Sequence, residues 1–339
     1  MFPLFNIKRF DSRSMRHRAS VALMALLTCL SGVASGPPQQ ASDEYTISVQ
    51  VGLVVLPVTV TGRQGHTVSN LNQGSFMVLD DGRPQKITVF DREDVPAAVG
   101  LVVDDSGSMA PKQNEVVAAA AAFAKSSNPQ DQMFIVYFND TVFLGLQGGS
   151  PFTSDTSQLM RSLTDITARG KTALYDGIAV ALEHLSRSSL NHKALIVVSD
   201  GGDNSSRHSL RQVLALAERS SATIYTVGLF DASEADQNPG VLRRLARVTG
   251  GKAYLPQSVA EVENVSRQIA GDIRHQYTLG YIPEHTAGQG YHSVRVVVRA
   301  PGYGRLRVRT RSGYLAAPES AAKTALREAP PSGGGGDSR

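Results

Sequence analysis

The stretch Leu101-Val102-Val103-Asp104-Asp105-Ser106-Gly107-Ser108-Met109 decides how this 339-residue chain is read. The apolar run 99–103 breaks off into a turn that carries a carboxylate and two hydroxyls at i, i+2 and i+4. Continuous apolar character over five residues is the pattern of a parallel strand buried on both faces. The alanine-rich segment from Pro111 to Lys125 predicts the helix that follows. Joints of this kind lie at the carboxyl ends of the strands in an open α/β sheet, which is where such sheets bind ligands. Asp104, Ser106 and Ser108 are hard oxygen donors suited to Mg²⁺ or Mn²⁺. No thiol or imidazole accompanies them, so the pattern does not suit zinc.

Strands and helices alternate on either side of this turn. Strands are expected at 99–103, 134–138, 194–199 and 223–227, with shorter ones at 141–145 and 253–254. Helices are expected at 113–125, 157–165, 173–185, 210–220, 241–248 and 259–273. That order predicts a Rossmann-like, mostly parallel sheet covered by helices on both faces. The flanks are strand-like instead: β-branched runs at 47–60, 76–79 and 86–90 precede it, and 277–281, 293–298 and 305–310 follow it. Asp81-Gly82 between two alternating segments marks a hairpin turn. The C-terminal strands are too few to stand alone, so they are expected to pair with 45–90 in a small β-sandwich into which the α/β fold is inserted. No period of repeats recurs. The expected division is a signal peptide at 1–35, a β-module at 45–92, the α/β fold at 95–275, pairing strands at 276–315 and a flexible tail at 316–339.

The Asp104-x-Ser106-x-Ser108 turn resembles the metal-ion-dependent adhesion site of the von Willebrand factor A domain, which adds a distant threonine and a distant aspartate. Both can be found here. Arg169-Gly170-Lys171-Thr172-Ala173-Leu174-Tyr175-Asp176-Gly177 opens a helix and carries the threonine over to Thr172. The strand 194–199 ends at Asp200-Gly201-Gly202-Asp203-Asn204 and carries the aspartate over to Asp200. The resemblance implies direct or water-mediated ligation by the serines and the threonine, and ligation through water by the last aspartate. It also implies one open metal position, filled by a glutamate or aspartate from a protein partner. Asp105 and Asp203 are expected to cap turns or helices and not to ligate. The flanks, from Val58-Thr59-Val60 through Asp80-Asp81-Gly82-Arg83 and from Gln276-Tyr277-Thr278-Leu279-Gly280-Tyr281 to Arg311-Ser312-Gly313-Tyr314, resemble a bacterial group of secreted von Willebrand A-related proteins, known especially from acidobacteria.

Composition narrows the setting. Met15-Arg16-His17-Arg18, the apolar run 19–30 and small residues 31–36 have the order of a signal peptide, with Met15 as an alternative start and cleavage near Ala34 or Ser35. The apolar run is too short for a comfortable membrane span, and the mature chain is expected to have none. Export to the periplasm or the outside follows. An N-terminal lipid anchor on Cys29 is the alternative, but Leu27-Thr28 fits a lipobox poorly. Cys29 is the sole cysteine, so the mature chain relies on packing rather than disulfides. The formal charge of +4 arises wholly within residues 1–35, where five basic residues face one acid, which leaves the remainder near neutral and gives no support for nucleic-acid binding.

These features predict a non-enzymatic, exported module that captures a protein partner through a divalent cation. A structural or envelope-assembly scaffold, in which metal only stabilises the loops, is the alternative. A hydrolase fits less well. The chain has no Gly-x-Ser-x-Gly elbow or lysine-bearing phosphate loop, and His208, the histidine near the three loops, reads as a helix-start surface residue. Arg305, Arg307, Arg309 and Arg311 alternate with apolar or small residues, which predicts a row of arginines on a solvated sheet face, with an acidic partner or anionic polymer as the functional alternative. Tyr277, Tyr281 and Tyr314 read as packing residues.

Overall fold

The computed structural model describes residues 52–315 apart from 64, 93, 147–149, 164–167, 232–234 and 285–289. The expected signal peptide and tail lie outside the described residues. Four strands come first: β1 (Val54–Thr61), β2 (Phe76–Asp80), β3 (Arg83–Gln85) and β4 (Ile87–Asp91). Strands and helices then alternate as β5 (Ala97–Asp104), α1 (Gln113–Ser126), β6 (Gln132–Phe138), β7 (Val142–Leu144), α2 (Thr156–Ser162), α3 (Leu174–Ser186) and β8 (His192–Ser199). They continue as α4 (Leu210–Arg219), β9 (Thr223–Gly228), α5 (Pro239–Thr249), β10 (Ala253–Tyr254) and α6 (Val259–Arg274). The last four strands are β11 (Tyr277–Tyr281), β12 (Tyr291–Val298), β13 (Arg307–Arg309) and β14 (Gly313–Leu315).

The central sheet has the order β10-β9-β8-β5-β6-β7, parallel except for β7 at its edge. All eight residues of β5 are buried, because the sheet is covered on both sides. Val116 and Phe123 of α1, Leu159 of α2 and Ile269 of α6 pack on one face. Ile178 of α3, Val213 of α4 and Leu245 of α5 pack on the other. Each such side chain contributes on the order of 1.5–3 kcal/mol when withdrawn from water. Local signals set the helix ends: Ser209 and Gln212 form a reciprocal capping box on α4, and Asn238 caps α5 ahead of Pro239. The fold is an α/β sheet with helices on both faces, with additional antiparallel sheets built from strands that precede and follow it.

Those antiparallel sheets, β13-β1-β11-β4 and β14-β12-β2-β3, mix N- and C-terminal strands. Strand β1 lies between β11 and β13, and β2 pairs with β12 from Asp80↔Val294 to Phe76↔Val298. Leu56, Val58, Val78, Tyr277, Leu279 and Tyr281 fill the space between. The three tyrosines anchor polar groups there. Tyr277 Oη accepts from Leu71 N at 2.9 Å and donates to Val68 O at 2.8 Å. Tyr281 and Tyr314 both donate to Asp80 Oδ2, at 2.9 and 3.0 Å. The α/β fold leaves from β4 and returns to β11, which are themselves hydrogen-bonded neighbours with Asp91 opposite Thr278.

The arginine row departs from expectation. Arg305 and Arg307 are exposed, but Arg309 is ion-paired with Asp272 of α6. Arg311 is buried and donates to the main-chain carbonyls of Glu218 and Ser220 at the end of α4. The strand runs against α4 and α6, so its basic side is covered along half its length, and helix-end carbonyls take the role expected of water. The turn after Asp104 winds through a 3-10 segment, Gly107–Lys112, and α1 begins at Gln113, where the helix is expected. Among the described residues no helix is long and apolar enough to cross a membrane.

Candidate metal centre

The order of the central sheet reverses at β5, with β6 on one side and β8 on the other, so the crevice lies beyond the carboxyl ends of β5 and β8. Asp104 is the last residue of β5, Ser106 and Ser108 occupy the turn after it, and Asp200 follows β8 directly. Asp104 Oδ1 accepts from Ser106 N at 3.0 Å, and its Oδ2 accepts from Ser199 Oγ at 2.6 Å. The hydroxyls of Ser106 and Ser108 are 3.2 Å apart. Ser108 Oγ donates to Asp200 Oδ2 at 2.8 Å, and Asp200 Oδ1 accepts from Gly202 N at 3.0 Å. Four of the five residues singled out by sequence thus form one hydrogen-bonded string.

Thr172 is tied in through the backbone. Gly107 N donates to Gly170 O at 3.2 Å, which sets the threonine loop against the serine turn. Thr172 N donates to Asn204 Oδ1, and Thr172 O accepts from Asn204 N and Ser205 N, which sets the same loop against the segment after Asp200. Asp105 accepts from Ala168 N, and Asp203 accepts from Tyr175 N at the start of α3, so both fasten turns. Gly201 holds the left-handed φ of +83°, and a Cβ there would meet the Asn238 carbonyl, so the tight exit from Asp200 needs glycine. His208 Nδ1 lies 2.7 Å from Asp176 Oδ1 and is occupied there.

The electrostatics of the crevice are unbalanced. Asp104 is 1% and Asp200 4% exposed. Burial pushes the Asp104 carboxyl up to about 6; the Ser106 and Ser199 hydrogen bonds pull against this, and the charge on Asp200 adds to it. Lys112, the last residue of the 3-10 turn, is itself buried, with Nζ 3.9 Å from Asp200 Oδ2 and no hydrogen-bond partner. Two buried carboxylates therefore face one ammonium. An all-oxygen donor set that lacks one compensating positive charge fits a hard divalent cation.

Lys112, Ser199 and Asn204 escape a sequence reading. Ser199 carries one faint signal, a hydroxyl immediately before a strand-end aspartate. Lys112 carries none, because only the 3-10 turn folds it back over Asp200. A separate group, Asp80, Asp81 and His292, offers one ligand atom each within 4.8 Å, and is the cluster of three such residues found among the described residues. It belongs to the sandwich, where tyrosine hydroxyls occupy Asp80 Oδ2, and Ser293 and His292 occupy Asp81.

Residues 99–202 match the family model of the von Willebrand factor type A domain. No curated protein matches the chain. Among solved structures, the chain is similar to a von Willebrand factor type A protein from Catenulispora acidiphila, at 13% identity and a TM-score of 0.49 over 71% of this chain and 73% of that one. It is also similar to the conserved hypothetical protein BatB from Bacteroides thetaiotaomicron, at 16% identity and a TM-score of 0.42 over 52% and 98%. A third likeness is to the von Willebrand factor domain of a type V pilus tip protein from Porphyromonas gingivalis, at 15% identity and a TM-score of 0.44 over 53% and 97%.

Proposed function

We propose, from the match of residues 99–202 to the von Willebrand factor type A family model and from the geometry of the crevice, that this crevice holds Mg²⁺ or Mn²⁺ and captures an acidic side chain of a protein partner. The observation that carries this reading is the hydrogen-bonded string Asp104–Ser106–Ser108–Asp200. Asp104, Ser106, Ser108 and Asp200 would hold the ion, with Thr172 completing the set from the loop fastened to both. The ion supplies an attachment point for a carboxylate. The chain's own residues prepare that point. Ser199 orients Asp104, Gly202 N orients Asp200, and the Gly107–Gly170 and Thr172–Asn204 bonds hold the loops in register. Low exposure strengthens every charge interaction in the crevice.

The binding reading is preferred to hydrolysis because Ser106 and Ser108 are engaged with one another and with Asp200, while His208 is held by Asp176. Export, followed by work in the periplasm or outside the cell, remains part of the proposal on the strength of residues 15–36. Lys112 favours a second reading, a scaffold in which the ion only stabilises loops, since its ammonium already meets part of the charge demand at Asp200.

Calorimetric titration with Mg²⁺ and Mn²⁺, beside Asp104→Ala, tests the first reading. One site that the variant loses, followed by metal-dependent and EDTA-sensitive retention of a carboxylate-rich partner, is the expected result. Retained EDTA-sensitive binding in Asp104→Ala overturns it. A rise in melting temperature with metal, but no metal-dependent interaction, selects the scaffold.

A further inference from the structure

Away from this crevice, at the β10 edge of the central sheet, lies a cleft of about 660 Å³ between the end of α5 and the strands β12 and β13. Its lining includes Arg243, Arg247, Lys252, Arg295, Arg309 and Arg311, and no aspartate or glutamate. Composition does not explain the cluster, because the chain beyond residue 35 is near neutral. We propose that the cleft binds a phosphate-bearing anion.

The local fold gathers these charges. Arg243 and Arg247 are one turn apart on α5, so they share a face. Gly250 ends α5 at φ +81°, and a Cβ there would meet the backbone of Thr310 and Arg311, so glycine lets the helix end close directly onto the strand. The floor is then Arg309 and Arg311. Asp272 takes one nitrogen of Arg309, and the Glu218 and Ser220 carbonyls take one of Arg311.

Those bonds leave donors over. Arg311 is 7% exposed and its Nε has no partner; Nη1 of Arg309 is also buried without one. Both nitrogens are shut off from solvent, so they add positive potential beneath the cleft and are not the donors an incoming anion meets first. Arg243, Arg247, Lys252 and Arg295 are exposed around them, so the entrance is open and cationic. The three exposed guanidinium forks of Arg243, Arg247 and Arg295 and the Lys252 ammonium, backed by the already engaged Arg309 and Arg311, match the many oxygens and double charge of a phosphate group better than the two oxygens of a carboxylate.

The test is titration of the full-length protein with sodium tripolyphosphate at about 0.15 M salt, near a Debye length of 8 Å, so that diffuse attraction is largely screened. Arg247→Glu combined with Arg295→Glu changes only exposed positions and keeps Arg309 and Arg311 in place. Saturable binding that the double variant weakens at least tenfold, with an unchanged circular dichroism spectrum, is the expected result. Vesicles of phosphatidylglycerol distinguish the source: variant-sensitive binding to them assigns a lipid phosphodiester, and binding of tripolyphosphate alone assigns a soluble one. No saturable binding, equal binding by the double variant, or equally tight binding of citrate overturns the proposal.

Discussion

Replacing Asp104 by asparagine should make the metal-free protein more stable while abolishing its response to Mg²⁺. In the folded chain the Asp104 carboxyl is pushed up to about 6 from an ordinary 3.8, chiefly by burial. A folded-state pKa above the unfolded one means that the folded form holds its proton longer. Stability from this group is therefore greatest below about pH 4 and is lost as pH rises toward 6. At 1.36 kcal/mol per pH unit the loss reaches about 3 kcal/mol. Asparagine carries no charge at any pH, and its amide can still face Ser106 N and Ser199 Oγ. At pH 8, in EDTA, Asp104→Asn should melt higher by up to roughly 6–12 °C, given about 2–4 °C per kcal/mol for a fold of this size. Scanning calorimetry from pH 4 to 8 reads it directly: the two proteins converge at pH 4 and separate above 6. Saturating Mg²⁺ should raise the wild type and leave the variant unmoved. A variant less stable than wild type at pH 8, or one still stabilised by Mg²⁺, refutes the assignment of Asp104 as a buried, metal-compensated carboxylate.

Lys112→Met removes a cation 3.9 Å from Asp200 and should tighten Mg²⁺ binding by about tenfold or more by relieving repulsion; isothermal titration at one salt concentration checks it, and weaker binding would show that the ammonium assists the ion. Tyr281→Phe leaves the buried Asp80 carboxylate with one tyrosine donor in place of two and should cost about 1–3 kcal/mol in urea unfolding. Gly250→Ala forces a side chain into left-handed backbone against Thr310 and should cost about 1–3 kcal/mol; a chain as stable as wild type would mean that α5 and β13 are not held together at this point.

The parts of the fold legible in sequence are those whose burial is uniform. Strand β5 shows as an apolar run because both of its faces are covered, and α4 announces itself through Ser209 and Gln212, which bond one another at its start. Strands β3 and β14, three residues each, have too little periodicity to show. The alternation of Arg305 to Arg311 reveals two faces but not which neighbour covers the basic one, and that depends on where α4 and α6 end. The site divides in the same way. The chemistry of Asp104, Ser106 and Ser108 lies in five consecutive residues, whereas Thr172 and Asp200 are intelligible only through the family resemblance, since lone polar residues at a loop start say little. Lys112 was hidden because its contact with Asp200 spans the sheet crevice and depends on the 3-10 turn.

The pairing of β4 with β11 has a mechanical consequence. The chain departs from Asp91 and returns opposite it at Thr278, so the two ends of the α/β fold are about 5 Å apart. Asp94 and Arg274, just inside that doorway, form an ion pair that latches it. Tension applied between the two ends of the polypeptide is then transmitted across the hydrogen bonds of β1, β11 and β4, and the loops bearing Asp104 and Asp200 lie off the line of force. A pull exerted through the Asp104 and Asp200 loops instead reaches the sandwich by β4 and β11 together, and these paired neighbours then share it.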